Sequence, residues 1–257
     1  MSYKQKDFCF CTLALRNKYR LLAKQLASDL EKYSPGTALL VLTDEPSCFQ
    51  DNYNVLAVKH RQQGILHCYH DKSILMEVAL SKFATAIHID ADTRILAAVP
   101  DNLQWKPGIT AGHYENLVEH VNKYTPERLP PLQKVASHLN IDLETVTYVG
   151  ESLFVITRDN GREIDYLKSW AMIGRYLELR GIHAGAGNAM GIAATQVGWK
   201  IYPDCWQEIK DVMHHTDASY SNKEKTLWQK WERRIGYHYR LNLARLMALK
   251  NAKFYYN

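Results

Sequence analysis

Apolar and polar positions change period several times along the chain, and each change marks an element. Phe8 to Leu15 (FCFCTLAL) is an unbroken run of strand formers, the pattern of a strand buried on both faces. From Tyr19 the apolar positions are Leu22, Leu26, Leu30 and Tyr33. Those spacings line one face of a helix, with Asn17 as its N-cap and Ser34-Pro35-Gly36 as its stop. Ala38 to Thr43 (ALLVLT) reads as a second buried strand, Asn54 to Val58 as a third and Thr85 to Ile89 as a fourth. Between the last two, Asp71 caps a helix whose apolar face is Ile74, Leu75, Val78, Ala79 and Phe83. Strand, helix, strand, strand, helix, strand predicts an α/β domain with a mostly parallel sheet and helices on its faces. Such sheets bind ligands beyond the carboxyl ends of their strands, where Asp44 and the pair Asp90 and Asp92 fall.

Beyond Asp92 the pattern loosens. Pro100 to Pro131 reads as irregular with one short helix, and Tyr148 to Thr157 as a strand with a turn at Gly150. Glu163 to Leu179 is helical, Gly185 to Gly187 is a turn, and Asn188 to Val197 is a short helix. Lys200 to Tyr202 and Asp211 to His214 read as short strands. A long helix follows from Lys223 to about Lys250, with Gly236 as a candidate break.

Composition narrows the class. With 257 residues, 46% hydrophobic and 23% charged, the chain suits one large α/β domain or one domain plus an appendage. No stretch approaches the ~18 consecutive apolar residues of a membrane span. Met1 to Lys6 is polar and lacks the h-region and cleavage site of a secretory signal. Cys9, Cys11, Cys48, Cys68 and Cys205 are odd in number and form no CxxC pair. The expectation is a cytoplasmic protein with reduced thiols, holding neither a disulfide frame nor a zinc cluster.

The net charge of +5 is unevenly spread. Residues 222–257 carry nine Lys or Arg against Glu224 and Glu232, interleaved with Trp228, Trp231, Tyr237, Tyr239, Phe254, Tyr255 and Tyr256. This predicts a domain over 1–221 and a basic, aromatic helical extension over 222–257. The expected role of the extension is packing on the domain, with Trp and Leu inward and Lys and Arg in water. Peripheral contact with a membrane's inner face is the sharper alternative. Contact between protomers is another, and nucleic acid is not expected as a partner.

The candidate chemistry sits in AIHIDADTRIL. Asp90 and Asp92 close an apolar strand, and the chain's turn there lets both carboxylates converge on one cation. Hard divalent ions such as Mg²⁺ or Mn²⁺ take oxygen ligands from one or two carboxylates plus substrate phosphates. Solvated loop aspartates are the plain alternative. Lys72 opens the preceding helix, where a cation opposes the helix dipole, and that misplacement favours a role at a phosphate. Arg16 is open to the same phosphate or surface readings.

The segment DKSILMEVALSKFATAIHIDADTRI, Asp71 to Ile95, resembles the GT-A glycosyltransferases. In that superfamily a basic residue opens the helix before the strand, and the aspartates bind the metal and diphosphate. The resemblance is good over 7–97, fainter over 146–216 and absent after 222. It implies a Rossmann-like nucleotide-diphospho-sugar transferase fold with a central, mostly parallel mixed sheet. It implies a UDP- or GDP-sugar donor, an unspecified hydroxyl acceptor and Mn²⁺ or Mg²⁺. The implied donor-binding residues are Thr12, Leu13, Arg16, Asp44, Lys72, Asp90, Ala91 and Asp92. Glu151 matches a position that contacts the donor sugar or acts as a base. Asn188 stands where many relatives carry an acidic residue; it caps its helix or acts at the reacting centre, and this leaves the base and the stereochemical outcome open. A C-terminal histidine completes the metal shell in many relatives, which implies His214 or His215. His215 is preferred from the spacing of Ala218 behind it. His113, Tyr114 and Glu115 fall in the expected acceptor loop. The implied mechanism is electrostatic relief of the departing diphosphate, through an oxocarbenium-like transition state.

Three rivals stand beside this reading. A haloacid-dehalogenase-like phosphohydrolase would carry Thr or Val where Arg94 stands, and its motif would lie nearer the N-terminus. A nucleotidyltransferase would need a glycine-rich loop where residues 12–20 contain no glycine. A non-catalytic nucleotide-sugar-binding module is kept open by the missing acid at Asn188.

Overall fold

The structure, a computed structural model, describes residues 6–216 and 226–256. Its first half runs β1 (Phe8–Ala14), α1 (Arg16–Tyr33), β2 (Ala38–Thr43), β3 (Val55–Lys59), α2 (Lys72–Leu80), β4 (Thr85–Ile89) and β5 (Thr93–Ile95). Then come β6 (Gly108–Thr110), β7 (Tyr114–Asn116), α3 (Leu117–Tyr124), α4 (Leu129–His138), β8 (Thr147–Val149) and β9 (Leu153–Thr157). The last part holds α5 (Arg162–Glu178), α6 (Ala186–Gln196), β10 (Ile201–Tyr202), α7 (Trp206–Lys210), β11 (Met213–His215), α8 (Leu227–Ala248) and α9 (Ala252–Tyr256).

The central sheet has the order β10-β6-β9-β4-β1-β2-β3. β1, β2, β3 and β4 are parallel, and only β9 runs against its neighbours β4 and β6. The mostly parallel mixed sheet is therefore as expected. Two small antiparallel ribbons, β5 with β11 and β7 with β8, flank it.

Both faces of the sheet are covered, which is why its strands read as continuous apolar runs. Phe10, Leu39, Val41 and Ile87 meet Ala23, Leu26 and Leu30 of α1 on one face. Cys11, Leu40, Leu42 and Phe154 meet Leu75 and Met76 of α2 and Tyr166 and Trp170 of α5 on the other. Each fully buried leucine contributes about 2 kcal/mol of transfer free energy.

Several local expectations change. Asn17 does not cap α1, which begins at Arg16; the Arg16 N–H donates to both carboxylate oxygens of Asp44, each at 3.1 Å. Asp71 stands before α2 but turns its carboxylate back, accepting from the N–H groups of Gln63 and Gly64 and from His60. Residues 100–131 hold a short helix, α3, as expected, together with the start of α4 and the strands β6 and β7, which are too short to show a period in the sequence. Residues 148–157 split into β8 and β9, which belong to different sheets. α6 begins at Ala186 rather than Asn188, and the short strand predicted to end at His214 is β11, ending at His215. Gly236 does not break α8, which starts with a reciprocal capping box between Thr226 and Gln229.

The C-terminal helices lie against the body. Ala248 and Tyr255 join the core beside α5, Arg240 Nε donates to the Ile65 carbonyl at 3.1 Å, and Arg180 donates to the Tyr255 carbonyl at 2.9 Å. The tryptophans do not point inward as expected: Trp228 is 78% exposed and Trp231 59%. No helix among the described residues is long and apolar enough to cross a membrane.

Candidate functional site

The site lies at the carboxyl ends of β1 and β4. Asp90 follows β4, and a tight turn closed by the Thr93 N–H to the Asp90 carbonyl at 3.0 Å leads through Ala91 and Asp92 into β5. That turn breaks the alternation that would have sent the two carboxylates to opposite faces. β11 then pairs with β5 in the register His215 to Thr93 and His214 to Arg94. Side chains alternate along a strand, so the two histidines point opposite ways. His215 Nδ1 lies 3.5 Å from Asp92 Oδ1, and single ligand atoms of Asp90, Asp92 and His215 lie within 4.8 Å of one another. His214 is not part of this group. Thr216 locks the arrangement, its hydroxyl donating to the Asp92 carbonyl at 2.6 Å. Ala218, whose spacing favours His215 in the sequence, lies outside the described residues. Two carboxylates and a neutral imidazole are a donor set that fits Mn²⁺ or Mg²⁺.

Lys72 is buried, not the surface lysine of the plain reading. Its ammonium donates to Asp90 Oδ1 at 3.0 Å and to the Glu151 carbonyl at 2.8 Å. Burial opposes its charge, but the carboxylates of Asp90 and Glu151 outweigh burial and hold its pKa above the ordinary lysine value. Beneath Asp90 lies His88, fully buried and stacked on Phe154 with ring centroids 4.7 Å apart. Burial, and then the nearby Lys72 charge, push its pKa well below the ordinary range, so the ring is neutral. In the sequence His88 merges into an apolar strand; its signal is a polar ring inside an otherwise apolar run.

Glu151 sits between β8 and β9 and accepts from the Ala186 N–H at 3.0 Å, at the start of α6. Burial and the charge of Asp90 raise its pKa against the pull of Lys72. Gly185 takes φ of 81°, and Gly187 lies so close to β8 that a Cβ there would stand 2.0 Å from the Val149 carbonyl oxygen. Asn188 is buried in the first turn of α6, and its side chain does not cap the helix; Gly185 holds the N-cap position. Its Oδ1 accepts no hydrogen bond among the described residues.

A cleft of about 290 Å³ opens beside the carboxylates. Leu13, Arg16 and Tyr19 line one side, Gln62, His67 and Tyr69 another, and Lys72, Asp90, Ala91, Asp92 and His215 the floor. Arg233 of α8 closes the rim. Arg16 has φ of 73°, a left-handed conformation costly for a non-glycine residue, maintained by the Asp44 carboxylate at its N–H. Thr12 is buried inside β1 with its hydroxyl unpartnered among the described residues, and neither it nor Asp44 lines the cleft. Asp44 also pairs with Arg20 at 2.6 Å; burial disfavours its charge, yet the Arg20 guanidinium and the Arg16 amide hold its pKa below the ordinary value. His113, Tyr114 and Glu115 lie on and beside β7, where Glu115 binds His120 at 2.6 Å. Tyr69, His67 and Arg233 escaped the sequence reading, because nothing local to residues 62–69 or to α8 marks them as neighbours of Asp90.

No protein-family model and no curated protein matches the chain. Among solved structures it is similar to the apo structure of the bifunctional glycosyltransferase WbbM. The TM-score is 0.46 at 11% identity, covering 76% of this chain and 38% of that one. The chain thus spans well under half of that protein, and the overlap carries no functional weight beside the geometry of the site.

Proposed function

We propose that this chain is a metal-dependent glycosyltransferase of the GT-A type, moving a sugar from a UDP- or GDP-sugar to a hydroxyl acceptor. The observation that carries the reading is the convergence of Asp90, Asp92 and His215 on the floor of a cleft whose walls are aromatic and basic. A concave site with a few convergent charged groups and aromatic rings suits a ligand that carries a diphosphate between two less polar parts.

On this reading Asp90, Asp92 and His215 hold Mn²⁺ or Mg²⁺, which supplies Lewis-acid relief of charge on the leaving diphosphate. Lys72 is held ready at Asp90, and Arg16 and Arg233 present cations along the same cleft. Tyr19 and Tyr69 offer rings for a nucleobase to stack on, and Leu13 and Ala91 complete the donor surface. Asp44 supports the loop after β1 from behind, through its bond to the Arg16 N–H, and Thr12 lies buried within β1 beneath that loop. Glu151, with its raised pKa, binds sugar hydroxyls or accepts the acceptor's proton. The free Oδ1 of Asn188 is a hydrogen-bond acceptor near the same place. The proposed setting is the cytoplasm, with peripheral contact between residues 222–257 and a membrane's inner face.

The test is calorimetric titration of UDP and GDP with and without Mn²⁺, on the wild type and on Asp92→Ala. Metal-dependent binding that disappears in the variant supports the donor site and identifies the nucleotide. Absence of binding by the wild type with metal present removes the transferase reading.

A further inference from the structure

α8 is amphipathic in an unusual direction. Its inward side is small or tethered: Ala244 and Ala248 are buried, and Arg240 bonds the Ile65 carbonyl. The opposite side faces outward and should be polar in a helix exposed only to water. It carries instead Trp228, Trp231, Ile235 and Leu246, whose spacings place them on one stripe. Ile235 is 65% exposed and Leu246 64%, comparable to the two tryptophans. Arg234 and Arg245, both exposed, run along one border of the stripe; Lys230, also exposed, lies further round the helix, and Glu232, beside the other border, is the only acidic residue in α8. The Arg234 guanidinium lies 5.9 Å from the Trp231 ring centre.

Large apolar side chains exposed along one outward face call for a covering surface. We propose that this face of α8 docks on an anionic lipid bilayer. The charge pattern selects the occupant. Cations bordering a stripe that includes tryptophans match the interfacial zone of an anionic membrane, where apolar side chains enter and basic ones meet headgroup phosphates. A second copy of the chain would bring the same cations against each other across the stripe, which is unfavourable. The helix lies in the plane of the membrane, since no described helix is built to cross one. Arg233, on the side of the same helix opposite the stripe, lines the cleft, so docking holds the cleft one helix diameter, ~10 Å, from the bilayer. This docking rests on the peripheral membrane contact proposed above and specifies its face and its lipid; vesicle binding reads it without donor, metal or turnover, so its failure is distinguishable from failure of the transferase reading.

The experiment is co-sedimentation of the full chain with phosphatidylcholine vesicles, with and without phosphatidylglycerol. The expected result is sedimentation with the anionic vesicles only. The double variants Trp228→Ser/Trp231→Ser and Arg234→Glu/Arg245→Glu each weaken it by about tenfold or more. Both variants keep the wild-type unfolding temperature, since the replaced side chains are exposed. A wild type that stays in the supernatant overturns the proposal, as does equal binding to neutral vesicles. A lipid-free dimer that the tryptophan variant dissociates also overturns it, in favour of a second copy. Should the tryptophan variant unfold, the charge-reversal variant alone decides.

Discussion

Asp90 illustrates how much one side chain can be asked to do. Its carboxylate bonds Lys72, lies over the neutral His88 and faces Asp92 and His215. The partition between the two adjacent histidines is decided by strand alternation, and it yields a sharp expectation. His215→Gln should weaken Mn²⁺ binding by about tenfold or more, whereas His214→Gln should leave it unchanged; calorimetry with the metal alone distinguishes them. A second residue, Glu178, has its pKa raised to about 8 by burial, with the Asp71 charge adding to the effect. A carboxyl raised in the folded state favours folding fully below the ordinary glutamate value, and that contribution is lost as pH rises through about 8. Thermal unfolding should therefore show stability falling with pH across that window, and Glu178→Gln should flatten the fall.

Elements differ in how plainly the chain announces them. The buried strands β1, β2 and β4 and the helices α1 and α5 were legible because a long apolar period leaves many coincident positions to read. β6, β7 and β8, three residues each, are held by neighbours rather than by their own pattern, so nothing local reveals them. The start of α6 depends on close packing. Added Cβ atoms at Gly187 and Gly191 would stand 2.0 Å from carbonyl oxygens of Val149 and Thr147 in β8. Gly187→Ala should force α6 away from β8 and cost about 1–3 kcal/mol. The shift would carry the Ala186 N–H from Glu151. Denaturant unfolding measures the cost, and donor titration should show the accompanying loss.

At the scale of the whole molecule, the basic C-terminal segment is both anchored and unfinished. Tyr255 is buried in the core, and its hydroxyl reaches the Met172 carbonyl at 3.4 Å. Tyr255→Ala should destabilise the entire fold by about 3 kcal/mol, seen as one cooperative transition at lower temperature. If the C-terminal helices were a loose appendage, the main transition would not move. Arg233 at the cleft and Arg240 at the 62–69 segment link these helices to the candidate donor site. A change in α8 therefore reaches the cleft through hydrogen bonds and packing already present.

The chain alone determined that a mostly parallel sheet would be buried between helices. That information is periodic and repeated in every long strand and helix. It also determined that Asp90 and Asp92 would close the strand at the sheet's carboxyl edge, because position along a strand is local. Tertiary structure decided the rest of the site. It chose His215 over His214 through the β5–β11 register, buried Lys72 against Asp90, tied Asp44 to the start of α1 and brought Arg233 to the rim. It also turned Trp228 and Trp231 outward, against the expectation that aromatic residues would pack inward. A helix's amphipathic pattern identifies its apolar stripe, but which side meets the body depends on how its partners fit. Here small alanines allow the close approach, and the large apolar side chains are left facing out.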